Sequence, residues 1–151
     1  MNEVAAQSDV FLPGIAEAKI LCGLEEPEAI AAHYLAAGAK LVVVKLGGKG
    51  AYYARRGEAG FVPGYTVKKI VDTVGAGDSL MAGLISGLVD AGLLGSGEAK
   101  QRLREASWDQ ILPAIHRGII TSGITILHQG AYSPTRDEVA DILAADRTLR
   151  G

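Results

Sequence analysis

Nine consecutive residues, Val71-Asp72-Thr73-Val74-Gly75-Ala76-Gly77-Asp78-Ser79, could do more chemistry than any other part of this chain. They lead from a short apolar stretch into a segment with helical apolar spacing, so Gly75, Ala76 and Gly77 fall at a helix N-terminus. The first N–H groups of a helix have no intrahelical partner and the helix dipole is positive there. Together these make a phosphate-sized anion site. A carboxylate at the same point, Asp78, would oppose a bound phosphate unless it had a task of its own. Accepting the proton of a hydroxyl that attacks the phosphate is such a task. The plainer reading makes Asp78 a first-turn carboxylate favoured by the dipole, with Gly75 and Gly77 in a tight turn. An isolated Gly-x-Gly-Asp would be read that way. The full string favours phosphoryl transfer to a small molecule.

A second glycine-rich stretch, Lys45-Leu46-Gly47-Gly48-Lys49-Gly50, directly follows the apolar run Leu41-Val42-Val43-Val44. In open α/β sheets ligands bind beyond the carboxyl ends of strands, so a pliant loop there suits a nucleotide. Tight turns after strands often carry glycine as well. The chain has no Gly-x-x-x-x-Gly-Lys-Ser/Thr and no Gly-x-Gly-x-x-Gly opening a helix, which excludes two common phosphate loops.

Strands alternating with helices must hold these loops. Residues 9–12 read as a short buried strand stopped by Pro13-Gly14, and residues 17–21 as a brief helix ending at Gly23. Residues 27–38 form a second helix, with proline in its first turn and Gly38 as its stop. The β-branched and aliphatic residues 40–46 predict a central parallel strand buried on both faces. Residues 51–55 and 60–62 could pair as a hairpin around Arg56-Gly57-Glu58. After the anion loop, Leu80, Met81, Leu84, Ile85, Leu88 and Val89 recur at helical spacing, while Ser79, Gly83, Ser86 and Gly87 form a face small enough for close approach. A charged helix over 99–106, a long one over 108–125 with Pro113 near its first turns, and one opened by Thr135-Arg136-Asp137-Glu138 complete the chain. The pattern predicts a layered α/β fold with no internal repeat and no interdomain linker.

Composition narrows the function. Apolar residues make up 48%, which excludes disorder, and 15 basic against 17 acidic side chains leave a net charge of −2 with no basic stripe. Nucleic acid is not an expected partner. Cys22 is the sole cysteine, so no internal disulfide forms and a reducing cytoplasm is expected. His33, His116 and His128 are scattered and suit no zinc site, and no Gly-x-Ser-x-Gly anchors a hydrolase triad. The longest apolar run is too short to span a bilayer and the first seven residues lack a signal-peptide pattern, so no membrane partner is expected.

Asp72-Thr73-Val74-Gly75-Ala76-Gly77-Asp78-Ser79, followed by Met81-Ala82-Gly83-Leu84, closely resembles the C-terminal signature of the ribokinase (PfkB) family of carbohydrate kinases. Residues 42–51 resemble that family's nucleotide-loop segment, and residues 125–131 its closing segment near the adenine. The resemblance implies a partial ribokinase-like fold over residues 1–151, the ATP-binding and catalytic half of a sugar kinase. Asp78 would be the base that takes the proton of a sugar hydroxyl, and the N–H groups of Gly75, Ala76 and Gly77 the anion hole. Lys45, Gly47 and Gly50 would line the ATP site, with Thr73 and Gly130 as further nucleotide-side positions and His128 close by. Asp72 and Thr73 would shape the loop where some members hold a monovalent cation. Mg²⁺ would accompany ATP, with Glu17 and Asp72 as the metal-side carboxylates. The sugar is of the 2-keto-3-deoxygluconate, fructose or ribose class; the same fold also serves nucleoside or vitamin hydroxyls.

Two departures from the family stand out. Where the family has Asn-x-x-Glu, associated with Mg²⁺ and phosphate, this chain reads Gly14-Ile15-Ala16-Glu17. Glu17 could equally be a dipole-favoured residue at a helix start. Family members are also about twice as long, and the half that supplies lid, N-terminal strands and most sugar contacts has no counterpart here. This sets a non-catalytic nucleotide-binding or dimerising remnant against the kinase. It also predicts marginal stability or self-association, as a homodimer or with a missing N-terminal half, because uncovered strands and apolar surface seek partners.

Overall fold

The computed structural model describes residues 2–145, and the chain divides into two compact units, Met1–Pro63 and Gly64–Gly151. The first runs α1 (Asn2–Gln7), β1 (Val10–Phe11), α2 (Ile15–Cys22), α3 (Pro27–Ala37), β2 (Leu41–Lys45), β3 (Gly50–Arg55) and β4 (Glu58–Pro63). Its sheet has the order β1-β2-β3-β4. The strand β2 lies parallel to β1 but antiparallel to β3, so the expected all-parallel surroundings hold on one side only. The reason is local. A single 3₁₀ turn over Gly47–Lys49 reverses the chain at once, too soon for the crossover a parallel neighbour needs. The other expectation for β2 holds: Leu41, Val42, Val43 and Val44 are all fully buried. The hairpin β3–β4 pairs Arg55 with Glu58 across Arg56-Gly57, both at positive φ, the two-residue turn that matches strand twist. The core gathers Ile30, Ala31 and Tyr34 of α3 against Val42, Val44 and Ala54 of the sheet.

The second unit is helical: α4 (Ala76–Asp90), α5 (Gly97–Glu105), α6 (Trp108–Thr125) and α7 (Arg136–Ala145). The small face of α4 meets α6. A methyl added at Gly83 would stand 2.5 Å from Thr121 Oγ1, and one at Gly87 would stand 2.6 Å from Ala114 Cα. Leu80, Leu84 and Leu88 bury beside this seam with Ile111 and Ile115. Met81, Ile85 and Val89 form a second apolar stripe on α4, and it is exposed. Asp90, at the end of α4, ties three helices: Arg117 Nη1 donates to it at 2.6 Å and Arg136 Nη1 at 3.1 Å. Those two guanidinium groups, Arg117 first, hold its carboxyl below the usual range. The capping box expected at α7 forms, with Glu138 Oε2 accepting from the Thr135 N–H at 2.7 Å and Thr135 Oγ1 accepting from the Glu138 N–H at 3.3 Å.

Candidate active site

The loop before α4 is built by its own side chains and backbone. Gly75, the residue ahead of the first helical turn, has φ 80°, and an added methyl would stand 2.9 Å from Ala131 Cβ. Both conformation and crowding therefore require glycine there. Asp72 acts as a clasp. Its Oδ1 accepts from the Val74 N–H at 3.1 Å and its Oδ2 from the Gly130 N–H at 2.9 Å, joining the loop to the segment after α6. Those backbone donors, Val74 first and Gly130 next, hold the Asp72 carboxyl below the usual aspartate value.

The resulting donors differ in one position from the set read from sequence. The Ala76 N–H donates to the Thr73 carbonyl at 3.2 Å, whereas the N–H groups of Gly75, Gly77 and Asp78 have no acceptor among the described residues. Asp78 lies in the first turn with its side chain exposed. The first turn of α4 therefore offers free donors beside a solvent-facing carboxylate, the pairing that phosphoryl transfer uses. The next residue, Ser79, has its Oγ 2.8 Å from Thr125 Oγ1, which fixes the helix start against α6. His128 stacks on Tyr132 at 3.9 Å between ring centroids.

Of the other expected nucleotide-side residues, Thr73 and Gly130 belong to this clasped loop, while Lys45, Gly47 and Gly50 lie in the first unit. There a cleft of about 660 Å³ is lined by Gly14, Glu17, Lys45, Gly47 and Lys49, with Glu25 and Glu26 on its rim. The Gly14 N–H donates to Glu17 Oε2 at 2.7 Å, and Lys45 Nζ lies 3.5 Å from the same oxygen. Sequence reasoning missed this ion pair and the Asp72–Gly130 clasp, although all four residues had been singled out separately. A smaller hollow of about 370 Å³, lined by Ser79, Ser86, Arg117, Thr121 and Arg136, does not include Asp78.

Among the described residues no three His, Cys, Asp or Glu side chains are grouped to hold an ion. Both Asp72 oxygens accept backbone N–H groups, and Glu17 Oε2 is shared by the Gly14 N–H and Lys45.

Comparison with known proteins places the chain in a family. Residues 1–136 match the pfkB family of carbohydrate kinases. The chain belongs to that family. It is 38% identical over 151 residues to the 2-dehydro-3-deoxygluconokinase of Bacillus subtilis (strain 168), covering 99% of this chain and 41% of that enzyme. Among solved structures, the PfkB protein from Polaromonas sp. JS666 superposes with a TM-score of 0.66 at 36% identity, over 93% of this chain and 38% of the other. A double-mutant fructokinase from Vibrio cholerae O395, with fructose, ADP and potassium ion bound, gives a TM-score of 0.76 at 25% identity, over 93% of this chain and 42% of its own. This pfkB-family chain thus spans less than half the length of these relatives, with the ribokinase-like fold. None of its helices, among the described residues, is long and apolar enough to cross a membrane.

Proposed function

We propose that this chain is the ATP-binding and catalytic half of a sugar kinase, transferring the γ-phosphoryl of ATP to a sugar hydroxyl. The observation that carries the reading is the first turn of α4, where free N–H groups on Gly75, Gly77 and Asp78 adjoin the exposed Asp78 carboxylate. Asp78 accepts the hydroxyl proton as the sugar oxygen bonds to the γ-phosphorus. The bond from that phosphorus to the β–γ bridging oxygen breaks, and ADP leaves. The free N–H groups of the turn stabilise charge on the transferred group. Lys45, Gly47 and Gly50 of the first unit serve the nucleotide, and Mg²⁺ enters as part of the nucleotide substrate. The ionised Asp72 carboxylate would balance a monovalent cation, as a potassium ion accompanies the Vibrio cholerae fructokinase. The 2-keto-3-deoxygluconate class ranks first, on the Bacillus subtilis relative, ahead of fructose and ribose.

A second reading, a nucleotide-binding remnant without turnover, draws support from Gly14, which stands where the family has asparagine. A panel of sugars assayed for ATP-dependent phosphorylation separates the two. Turnover abolished by Asp78→Asn supports the kinase, and ADP binding without turnover in the unaltered chain supports the remnant. The partner follows from α4. A helix apolar on two sides belongs inside a layered structure, and the exposed Met81, Ile85 and Val89 fit the remaining half of the kinase domain. In its absence the chain is expected to self-associate; a monomer with a sharp, cooperative melt on size-exclusion chromatography and calorimetry would count against this.

A further inference from the structure

The Glu17–Lys45 pair points away from the expected metal-side role of Glu17. The carboxylate of Glu17, at the third helical position, folds back onto the Gly14 N–H and into reach of Lys45. A methyl at Gly14 would stand 3.3 Å from Glu17 Oε2, tight enough to press on the carboxylate, and at an ordinary contact distance of 3.7 Å from Lys45 Cε. Lys45 is fixed from its backbone side as well, since its N–H donates to the Pro13 carbonyl at 2.8 Å. Its side chain is only 18% exposed, against 58% for Glu17, so the ammonium rests in the cleft wall while the carboxylate reaches in from solvent. The charges lining the cleft nearly cancel: Glu17, Glu25 and Glu26 face Lys45 and Lys49, and Lys19 pairs with Glu25 at 2.7 Å.

We infer that Glu17 is a positioning residue. Its carboxylate stands on Lys45 where a phosphate oxygen of the nucleotide will sit, holds the ammonium in place, and yields to that phosphate. Gly14 is what permits the exchange. This rests on the nucleotide reading above and adds to it the order of affinities at the polyphosphate end: removing the carboxylate's charge strengthens binding of metal-free phosphate. An anion bound to a lysine already paired must displace its partner, and a pair with one solvent-exposed member is worth about 0.2–1 kcal/mol, or about 1.4- to fivefold in Kd.

The test is calorimetric titration of the whole chain with ADP, once in EDTA and once in Mg²⁺, for the unaltered protein, Glu17→Gln, Lys45→Met and the double variant. Glutamine can still accept the Gly14 N–H, so Glu17→Gln removes charge while keeping the helix start. The inference expects Glu17→Gln to tighten ADP in EDTA by up to about fivefold. It expects Lys45→Met to weaken binding about tenfold or more, and Glu17→Gln to have no effect in the Lys45→Met background. Gly14→Asn, which crowds the same carboxylate, is expected to tighten metal-free ADP as well. Weaker binding by Glu17→Gln in Mg²⁺ with no change in EDTA overturns the inference in favour of a metal-side role. Unchanged affinity in both, with only a lower Tm for Glu17→Ala, overturns it in favour of a helix cap. Those two results leave the nucleotide reading intact, whereas failure of the unaltered chain and every variant to bind ADP overturns both.

Discussion

The two glycine-rich loops are held in opposite ways. The one before α4 is clasped from outside: Asp72 bonds the Gly130 N–H, and Gly75 is pressed beneath Ala131. The one after β2 is anchored at its ends, where Leu46 packs on the core and Gly50 pairs with Pro63, and its tip closes on its own backbone. There the Leu46 N–H donates to the Gly50 carbonyl at 2.9 Å and the Lys49 N–H to the Leu46 carbonyl at 3.3 Å. Nothing lies within 4 Å of a methyl placed on Gly47 or Gly48. Fixed donors act best where charge develops during a reaction, because nothing must reorganise at that moment. A loop that only receives a ligand gains from freedom to adjust. The difference is what the proposed function would require, chemistry at the first loop and adaptable binding at the second.

The largest effect that would sharpen this contrast is chemical. Asp78→Asn is expected to lower sugar-dependent phosphotransfer by about 10²–10⁴-fold while ADP affinity and Tm stay unchanged. Lys45→Met should do the reverse, shifting nucleotide affinity about tenfold with a much smaller effect on turnover at saturating ATP. If both variants moved the same parameter, the division of labour would be wrong. Stability comes next. Gly75→Ala, strained at φ 80° and crowded by Ala131, is expected to cost about 2–4 kcal/mol in denaturant melts. Gly47→Ala, at φ 60° in open space, should cost about 1–2 kcal/mol. Equal costs would break the comparison.

The smallest effect is in acid. Backbone donors depress the Asp72 carboxyl below its usual 3.8, so its contribution is complete above that value and disappears as pH falls through the lower folded value. Asp72→Asn should therefore be less stable than the unaltered chain at neutral pH and lose less stability between about pH 5 and about pH 2. Urea midpoints measured across that range check it. The decline should persist in part, because Asp90, held low by Arg117 and Arg136, titrates in the same window and in the same direction.

What the sequence made legible was local. The stops at Gly23 and Gly38, the turn at Arg56-Gly57, the α7 cap and the α6 limits all depend on neighbours within a few residues, and each is found where expected. The small face of α4 was legible too, since glycines four apart on one side announce a close neighbour; only the identity of that neighbour, α6, needed the structure. The β2–β3 pairing was missed because hydrophobicity reports burial, not strand direction. At the candidate site the residue types were readable but their bonds were not. Asp72 and Gly130 lie 58 positions apart, and the Ala76 N–H turns away to Thr73 through a turn that no side-chain pattern encodes.

That separation has a consequence for how the molecule tolerates change. Everything from α4 through α6 is an excursion that leaves from Asp72 and returns to Gly130, with the candidate chemistry at its neck. The entropy of closing a loop grows only with the logarithm of its length, so doubling the excursion would add only about 0.6 kcal/mol. Insertions or deletions in the turn ahead of α5 alter the loop and leave the neck as it is. Length variation there is insulated from Asp78, while a single substitution at the neck reaches both ends of the excursion at once.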